Sequence, residues 1–232
     1  MSTEFWQYRL DTCWKDERGY HDELLCIGER IKKGTFRPCL EEAIPFSSAV
    51  GALREALGLP YSVDLYAAGH ICNPKCSPPG VEYITLAPSD VATGGVKPPA
   101  PLTVKALRGV KGRIFVEISS DEVRKALEKI GSPFEITMGA MKSTGFGRCR
   151  LTRVFEDVPL VVEPGRLRTR IPERHKEHFG ITDNVSKPIY GYLFDTSDEA
   201  KRNDGTGTYV KSLFEGSIIE GYSFLLGGED AS

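Results

Sequence analysis

The sequence predicts an α+β fold in which two helices pack on one face of an antiparallel sheet. Three observations carry this. Segments that alternate like strands and segments with helical spacing follow one another as strand, helix, strand region, strand, helix, strand. One helix carries both start and stop signals. After Pro159 the texture changes to short strand-like runs broken by turns. The order of the first part is that of a split βαβ unit, a ferredoxin-like or RNA-recognition-motif-type domain. We therefore place a ferredoxin-like domain at 1–157, with an insertion at about 60–105, and a smaller β-rich part at 158–232.

The elements follow in order. Phe5, Tyr8, Leu10 and Cys13 alternate loosely between Phe5 and Trp14 and predict a strand. The segment CWKDERGYHDE that follows reads as a charged hairpin tip. GTFRPCLEEAIP, broken by Gly34, Pro38 and Pro45, reads as loop or edge strand. In SSAVGALREALG, Val50, Leu53, Ala56 and Leu57 recur at helical spacing, Ser47 or Ser48 can cap the helix, and Gly58 ends it. Residues 69–101 are rich in proline and glycine around one short strand, VEYITLA, and read as an inserted thumb or extended hairpin. VKGRIFVEI puts Ile114, Val116 and Ile118 on one face of a strand. In SSDEVRKALEKIG, Ser119 and Glu122 have capping-box spacing and Val123, Ala126, Leu127 and Ile130 form the apolar stripe. PFEITM and RCRLTRVF are strands on either side of a glycine-rich loop. In the last part, IYGYLF and YSFLL read as strands, and GTGTYVKSL as a hairpin turn.

Composition narrows the function classes. Hydrophobic residues make up 40% of the 232 residues, enough for a sizeable core. No apolar run approaches the length of a membrane span, and the first residues lack the apolar stretch of a signal peptide, so the expected location is cytoplasmic. Six cysteines in such a chain read as free thiols or metal ligands. A net charge of −2 argues against a free-standing non-specific DNA binder. Basic residues nevertheless gather between Lys97 and Arg153: Lys105, Arg108, Lys111, Arg113, Lys142, Arg148, Arg150 and Arg153.

The stretch ITMGAMKSTGFGRCRLTRV stands out. It lacks the GK[ST] pair of a P-loop, and it joins two strands instead of opening a helix, so it is not a dinucleotide fingerprint. Gly139, Gly145 and Gly147 permit positive φ and close backbone approach. Lys142, Arg148 and Arg150 supply charge, Ser143 and Thr144 hydroxyls, and Phe146 a ring that could stack on a base. A plain glycine-rich hairpin with solvated cations is the competing reading of the loop alone.

Together with the segment AIPFSSAVGALREALG, the loop resembles the CRISPR-associated RAMP superfamily. Members of that superfamily run a Pro-x-Ser-Ser segment into a Gly-Ala-Leu-Arg helix and end the domain with a Lys-Ser-x-Gly-Phe-Gly-Arg loop. Here those positions are Pro45, Ser47, Ser48, Gly51, Ala52, Leu53 and Arg54, then Lys142, Ser143, Gly145, Phe146, Gly147 and Arg148. The resemblance covers residues 1 to about 157 well and the remainder poorly. It implies binding of CRISPR RNA, with Ser47, Ser48, Arg54, Lys142, Ser143, Gly145, Phe146, Gly147, Arg148 and Arg150 as RNA-contact candidates. The implied partners are other effector subunits, filament and large, with target nucleic acid met indirectly and no membrane.

Within that superfamily the chain is most similar to the handle-capping subunit (Cas family five), which holds the 5′ end of the guide and needs no catalytic residue. Two alternatives stand beside it. A filament subunit (Cas family seven) predicts an early glycine-rich turn that is missing here. A repeat-processing endoribonuclease needs a general acid or base, for which His21 is the best candidate among His21, His70, His175 and His178; its glycine motif, however, usually lies near the C-terminus. His175 and His178 read as solvated. His70, Cys72 and Cys76 have the spacing of a zinc knuckle, whose fourth ligand would come from Cys26 or Cys39. Against it stands the ordinary fate of cysteine as a small buried residue. No cofactor is required by this reading, and a zinc, if bound, would be structural.

Overall fold

The computed structural model describes residues 3–28, 36–37, 39–72, 79–86, 102–195 and 208–227. Strand β1 (Phe5–Asp11) leads into a hairpin of β2 (Cys13–Asp16) and β3 (Gly19–Asp22). Short strands β4 (Leu24–Leu25), β5 (Phe36–Arg37) and β6 (Ala43–Ile44) precede helix α1 (Phe46–Leu57). Strands β7 (Ala67–Ile71), β8 (Gly80–Leu86), β9 (Leu102–Arg108) and β10 (Lys111–Glu117) follow, then helix α2 (Asp121–Ile130). Next come β11 (Phe134–Thr137), a 3₁₀ turn at Lys142–Thr144 and β12 (Arg148–Val154). The last part holds β13 (Val162–Leu167), β14 (Ile171–Pro172), β15 (Val185–Lys187), β16 (Tyr190–Asp195), β17 (Thr208–Leu213), β18 (Ile218–Tyr222) and β19 (Leu226–Gly227).

The main sheet has the order β11-β12-β1-β10-β7-β6, antiparallel throughout. Its middle, β12-β1-β10-β7, carries the strands of the β1-α1-β7-β10-α2-β12 unit in the spatial order fourth, first, third, second. The fold is thus α+β with mostly antiparallel sheets. Side chains alternate across the sheet with period two. Tyr8, Leu10, Ile114, Val116, Cys149 and Leu151 face one side and bury against Ala49, Val50 and Leu53 of α1 and Val123 and Leu127 of α2. Phe5 and Phe115 face the other side. There Phe224 stacks over them, with ring centroids 5.0 and 4.5 Å away. Residues 162–227 add Leu167, Ile171, Phe179, Ile181, Leu213 and Ile219 to the same buried cluster. They cover that half of the sheet and leave the half around Arg9 open. Among the described residues, no helix is long and apolar enough to cross a membrane.

Several expectations need correcting. Helix α1 starts one residue before the serines. Pro45 is its N-cap, with no side-chain cap bond, so Ser47 and Ser48 sit in the first turn. Proline suits this position because the extended backbone it favours leads directly into a helix. In α2 the cap is Ser120, whose oxygen accepts from Val123 N at 3.3 Å. Ser119 instead donates to Asp64 O at 2.8 Å, so the expected capping box does not form. The stops at Gly58 (φ 64°) and Gly131 (φ 74°) are as expected. Residues 69–71 are not part of a loose insertion. They complete β7, a fully buried strand of the main sheet between β6 and β10, in which a Cβ at Gly69 would sit 2.2 Å from Arg113 O of β10. Strand β9 begins within the segment read as an insertion; it pairs along its whole length with β8. YSFLL is strand only at its ends, Tyr222 in β18 and Leu226 in β19; between them a 3₁₀ turn (Ser223–Leu225) points Phe224 at the sheet. His175 and His178 are packed, not solvated. His175 stacks on Phe46 with centroids 4.9 Å apart; His178 stacks on Tyr66 at 3.5 Å and lies 2.9 Å from Glu117.

Candidate nucleic-acid interface

The start of α1 and the glycine loop meet. They line a cleft of about 200 Å³, with Ser47, Ser48 and Gly51 on one wall and Gly139, Ala140 and Lys142 on the other. Each wall follows from local chemistry. Phe46 N donates to Arg170 O (2.9 Å), which fixes where the helix begins. No acidic residue lies in the first turn, so the positive end of the helix dipole is not offset there. Gly51 faces open space and lets the cleft reach the helix backbone.

The loop is bent by residues of positive φ: Gly139 (90°), Met141 (61°), Gly145 (91°) and Gly147 (88°). It is stapled to the segment after β3, because Ala140 N donates to Cys26 O (2.8 Å) and Gly147 N to Leu24 O (2.7 Å). Two of its glycines serve the protein's own packing. A Cβ at Gly139 would sit 2.4 Å from Cys26 O, and one at Gly147 would sit 2.0 Å from Met138 O. At Gly145 a Cβ would meet nothing within 4 Å. The tip, Lys142 to Gly145, is exposed.

The candidate residues therefore divide. Ser47, Ser48 and Lys142 share the cleft. Ser143 and Gly145 sit on the exposed tip beside it, and Gly147 at its buried base. Lys142 Nζ pairs with Glu55 at 2.7 Å, with both side chains substantially exposed. Such a pair contributes about 0–1 kcal/mol and yields readily to a stronger anion.

Phe146 is turned inward against Cys26, Val104 and Ala106, so it anchors the loop on β9 and offers no face to a base. Arg54 is also buried; it donates to Pro60 O and stands 5.2 Å from the Tyr61 ring, at the far end of α1. Arg148 and Arg150 alternate with buried Cys149 and Leu151, and so project from the sheet face opposite the helices. Arg148 bridges to Glu135 (2.7 Å) and Glu23 (3.5 Å), and the Glu135 bond holds its guanidinium above its usual range. Arg150 donates to Lys15 O at 3.4 Å. Sequence reasoning missed Ala140 and Phe194, which also line the cleft. Ala140 lies within the loop motif; Phe194 arrives from β16, and nothing local in the sequence points to it.

His21 sits in a clamp. Its ring stacks on Trp14 (4.7 Å between centroids), Nε2 lies 3.0 Å from Asp16 Oδ1, and Nδ1 lies 3.4 Å from Arg148 Nη1. The bond from His21 pulls the Asp16 carboxyl down to about 2. His70 is buried, which pushes its imidazole down to about 3. Its Nδ1 lies 2.6 Å from Cys72 Sγ and its Nε2 3.2 Å from Phe224 O. Cys76 lies outside the described residues, and among those described no three or more potential ligands gather as a metal site. Cys26 and Cys39 are buried and form no disulfide.

No family model matches the sequence, and no curated protein matches it. Solved structures do resemble its fold. A chain of "Cryo-EM structure of the Type III-B Cmr-beta bound to cognate target RNA" superposes with a TM-score of 0.50 at 11% identity, over 94% of this chain and 86% of that one. A chain of "CRISPR RNA-guided surveillance complex" gives 0.43 at 12% identity, over 99% and 95%. The chain is an α+β protein in which the start of α1 and the glycine loop meet at one cleft. The first likeness shows that a chain of that Cmr-beta structure shares this fold.

Proposed function

We propose that this chain is an RNA-binding subunit of a CRISPR interference ribonucleoprotein, holding the guide by its backbone and capping its 5′ handle. The fourth-first-third-second strand order supports reading the first part as ferredoxin-like. The observation that carries the proposal is the meeting of the α1 start and the glycine loop in one cleft. Partly exposed first-turn serines, the helix dipole and one exchangeable lysine suit a phosphate. The fold shared with a chain of an RNA-bound Cmr complex supports the same reading. Other effector subunits are the expected protein partners. The function needs no metal and no chemistry at the cleft.

A charge test isolates the cleft. Ser48→Glu puts an acid in the first turn of α1, which favours the helix but repels a phosphate. We expect thermal stability to hold while affinity for a 5′-handle guide RNA falls about tenfold or more. Lys142→Ala should cost roughly fivefold, the worth of a charge-assisted hydrogen bond less that of the Glu55 pair it displaces. Unchanged affinity in both variants would remove the cleft from RNA binding. The repeat-cleaving alternative is checked separately. Metal-independent cleavage of labelled repeat RNA, abolished in His21→Ala, would overturn the non-enzymatic reading; we expect no cleavage with or without the histidine.

A further inference from the structure

The open half of the sheet, on the face away from the helices, holds a groove of about 610 Å³ between β1, β10, β12 and the β2–β3 hairpin. Arg9, Lys15, Lys111 and Arg150 line it, against one acid, Asp11. Strand register explains the clustering. Asp11 lies opposite both Lys111 and Arg150, so these three form one row across the sheet. Arg9 lies opposite Thr152 and Arg113, which form the next row. Adjacent strands bring each row's side chains within about 5 Å of their neighbours' strand. Lys15 reaches in from the hairpin. Asp11 pairs with Arg9 at 2.9 Å. A chain with a net charge of −2 thus concentrates positive charge in one concavity, where the field is focused.

The floor of the groove decides the class of ligand. Strands β12, β1 and β10 are each paired on both sides, so the floor offers no open edge to an added peptide strand. Recognition falls to arginine, lysine and a threonine hydroxyl, groups that bind phosphates without reading sequence.

The geometry points to a second nucleic-acid track: the groove binds the phosphodiester backbone of a single strand, on the opposite face of the sheet from the α1 cleft. This does not rest on the cleft reading.

The experiment uses the purified full chain and a labelled oligouridine, with affinity followed by anisotropy as salt is raised. For Lys15→Glu/Lys111→Glu we expect the slope of log K against log salt to shrink by about 0.7 for each phosphate that is no longer neutralised, and low-salt affinity to drop at least about tenfold. Lys15→Arg/Lys111→Arg should retain both, and thermal melts confirm that each variant is folded. An unchanged slope in the folded glutamate variant overturns the proposal, as does a wild-type chain that does not bind oligouridine. Displacement by polyglutamate as effective as by unlabelled oligouridine overturns the choice of nucleic acid. The cleft reading is judged apart, by Ser48→Glu against guide RNA. Whichever folded variant keeps full affinity for its own RNA marks the site that fails.

Discussion

Gly147→Ala lowers the stability of the protein by about 3 kcal/mol or more, a fall in melting temperature of roughly 6–12 °C for a chain of this size. The added Cβ meets Met138 O at 2.0 Å, and the residue must hold φ at 88°. Neither cost is easily relieved. Met138 N bonds back to Gly147 O at 2.8 Å, and Gly147 N to Leu24 O at 2.7 Å, so any shift breaks a bond that holds the loop. Gly145→Ala is the control. Its φ of 91° is equally strained, but the space around it is open, so about 1–2 kcal/mol is expected. Thermal unfolding of the two variants separates packing from backbone strain. Equal melting temperatures would show that the clash at Gly147 relaxes at little cost. Because Gly147 forms the buried base of the loop, its variant should also distort the cleft, whereas the Gly145 variant should keep it.

Arg170→Ala is expected to cost about 3 kcal/mol. The guanidinium is buried, grips Glu215 with bonds of 2.6 and 2.8 Å, and lies 3.9 Å from the Phe214 ring. Truncation leaves a half-buried carboxylate without its partner and strips a cation from an aromatic face. The consequence reaches the candidate site through the backbone, because Arg170 O accepts from Phe46 N at the first turn of α1. Denaturant unfolding measures the loss. Glu215→Gln, which keeps a hydrogen-bonding side chain and removes the charge, should cost less. A larger loss in Glu215→Gln than in Arg170→Ala would contradict this account.

How much of the molecule is legible varies by element. Helix α2 is readable almost to its ends because its stripe, its acidic first turn and Gly131 all agree; the cap moves by one residue because Ser119 finds a tertiary partner at Asp64. The alternation in RCRLTRV already separates Arg148 and Arg150 from Cys149 and Leu151, but it cannot say on which side of the sheet the α1 cleft will lie. Phe146 reads from the sequence as an exposed ring at the tip of a glycine loop. Its burial depends on Val104 and Ala106 of β9, a strand some forty residues away in a proline-flanked segment. The packed histidines escape a sequence reading for the same reason: Tyr66, Phe46 and Glu117 surround them only after the chain has folded.

The sequence by itself determined the two helices and the strands that flank them in the main sheet, the positions of the glycine turns, and the two segments that carry polar and cationic groups. These depend on local periodicity, capping chemistry and φ preference, which neighbouring residues set. Only the tertiary structure decided which of those groups share a surface. That depends on strand register and on which distant side chains fill the space behind each loop. The serines of α1 and Lys142 were thereby brought into one cleft, Arg54 and Phe146 were drawn inward, and Arg150 was set beside Arg9, Lys15 and Lys111 on the other face.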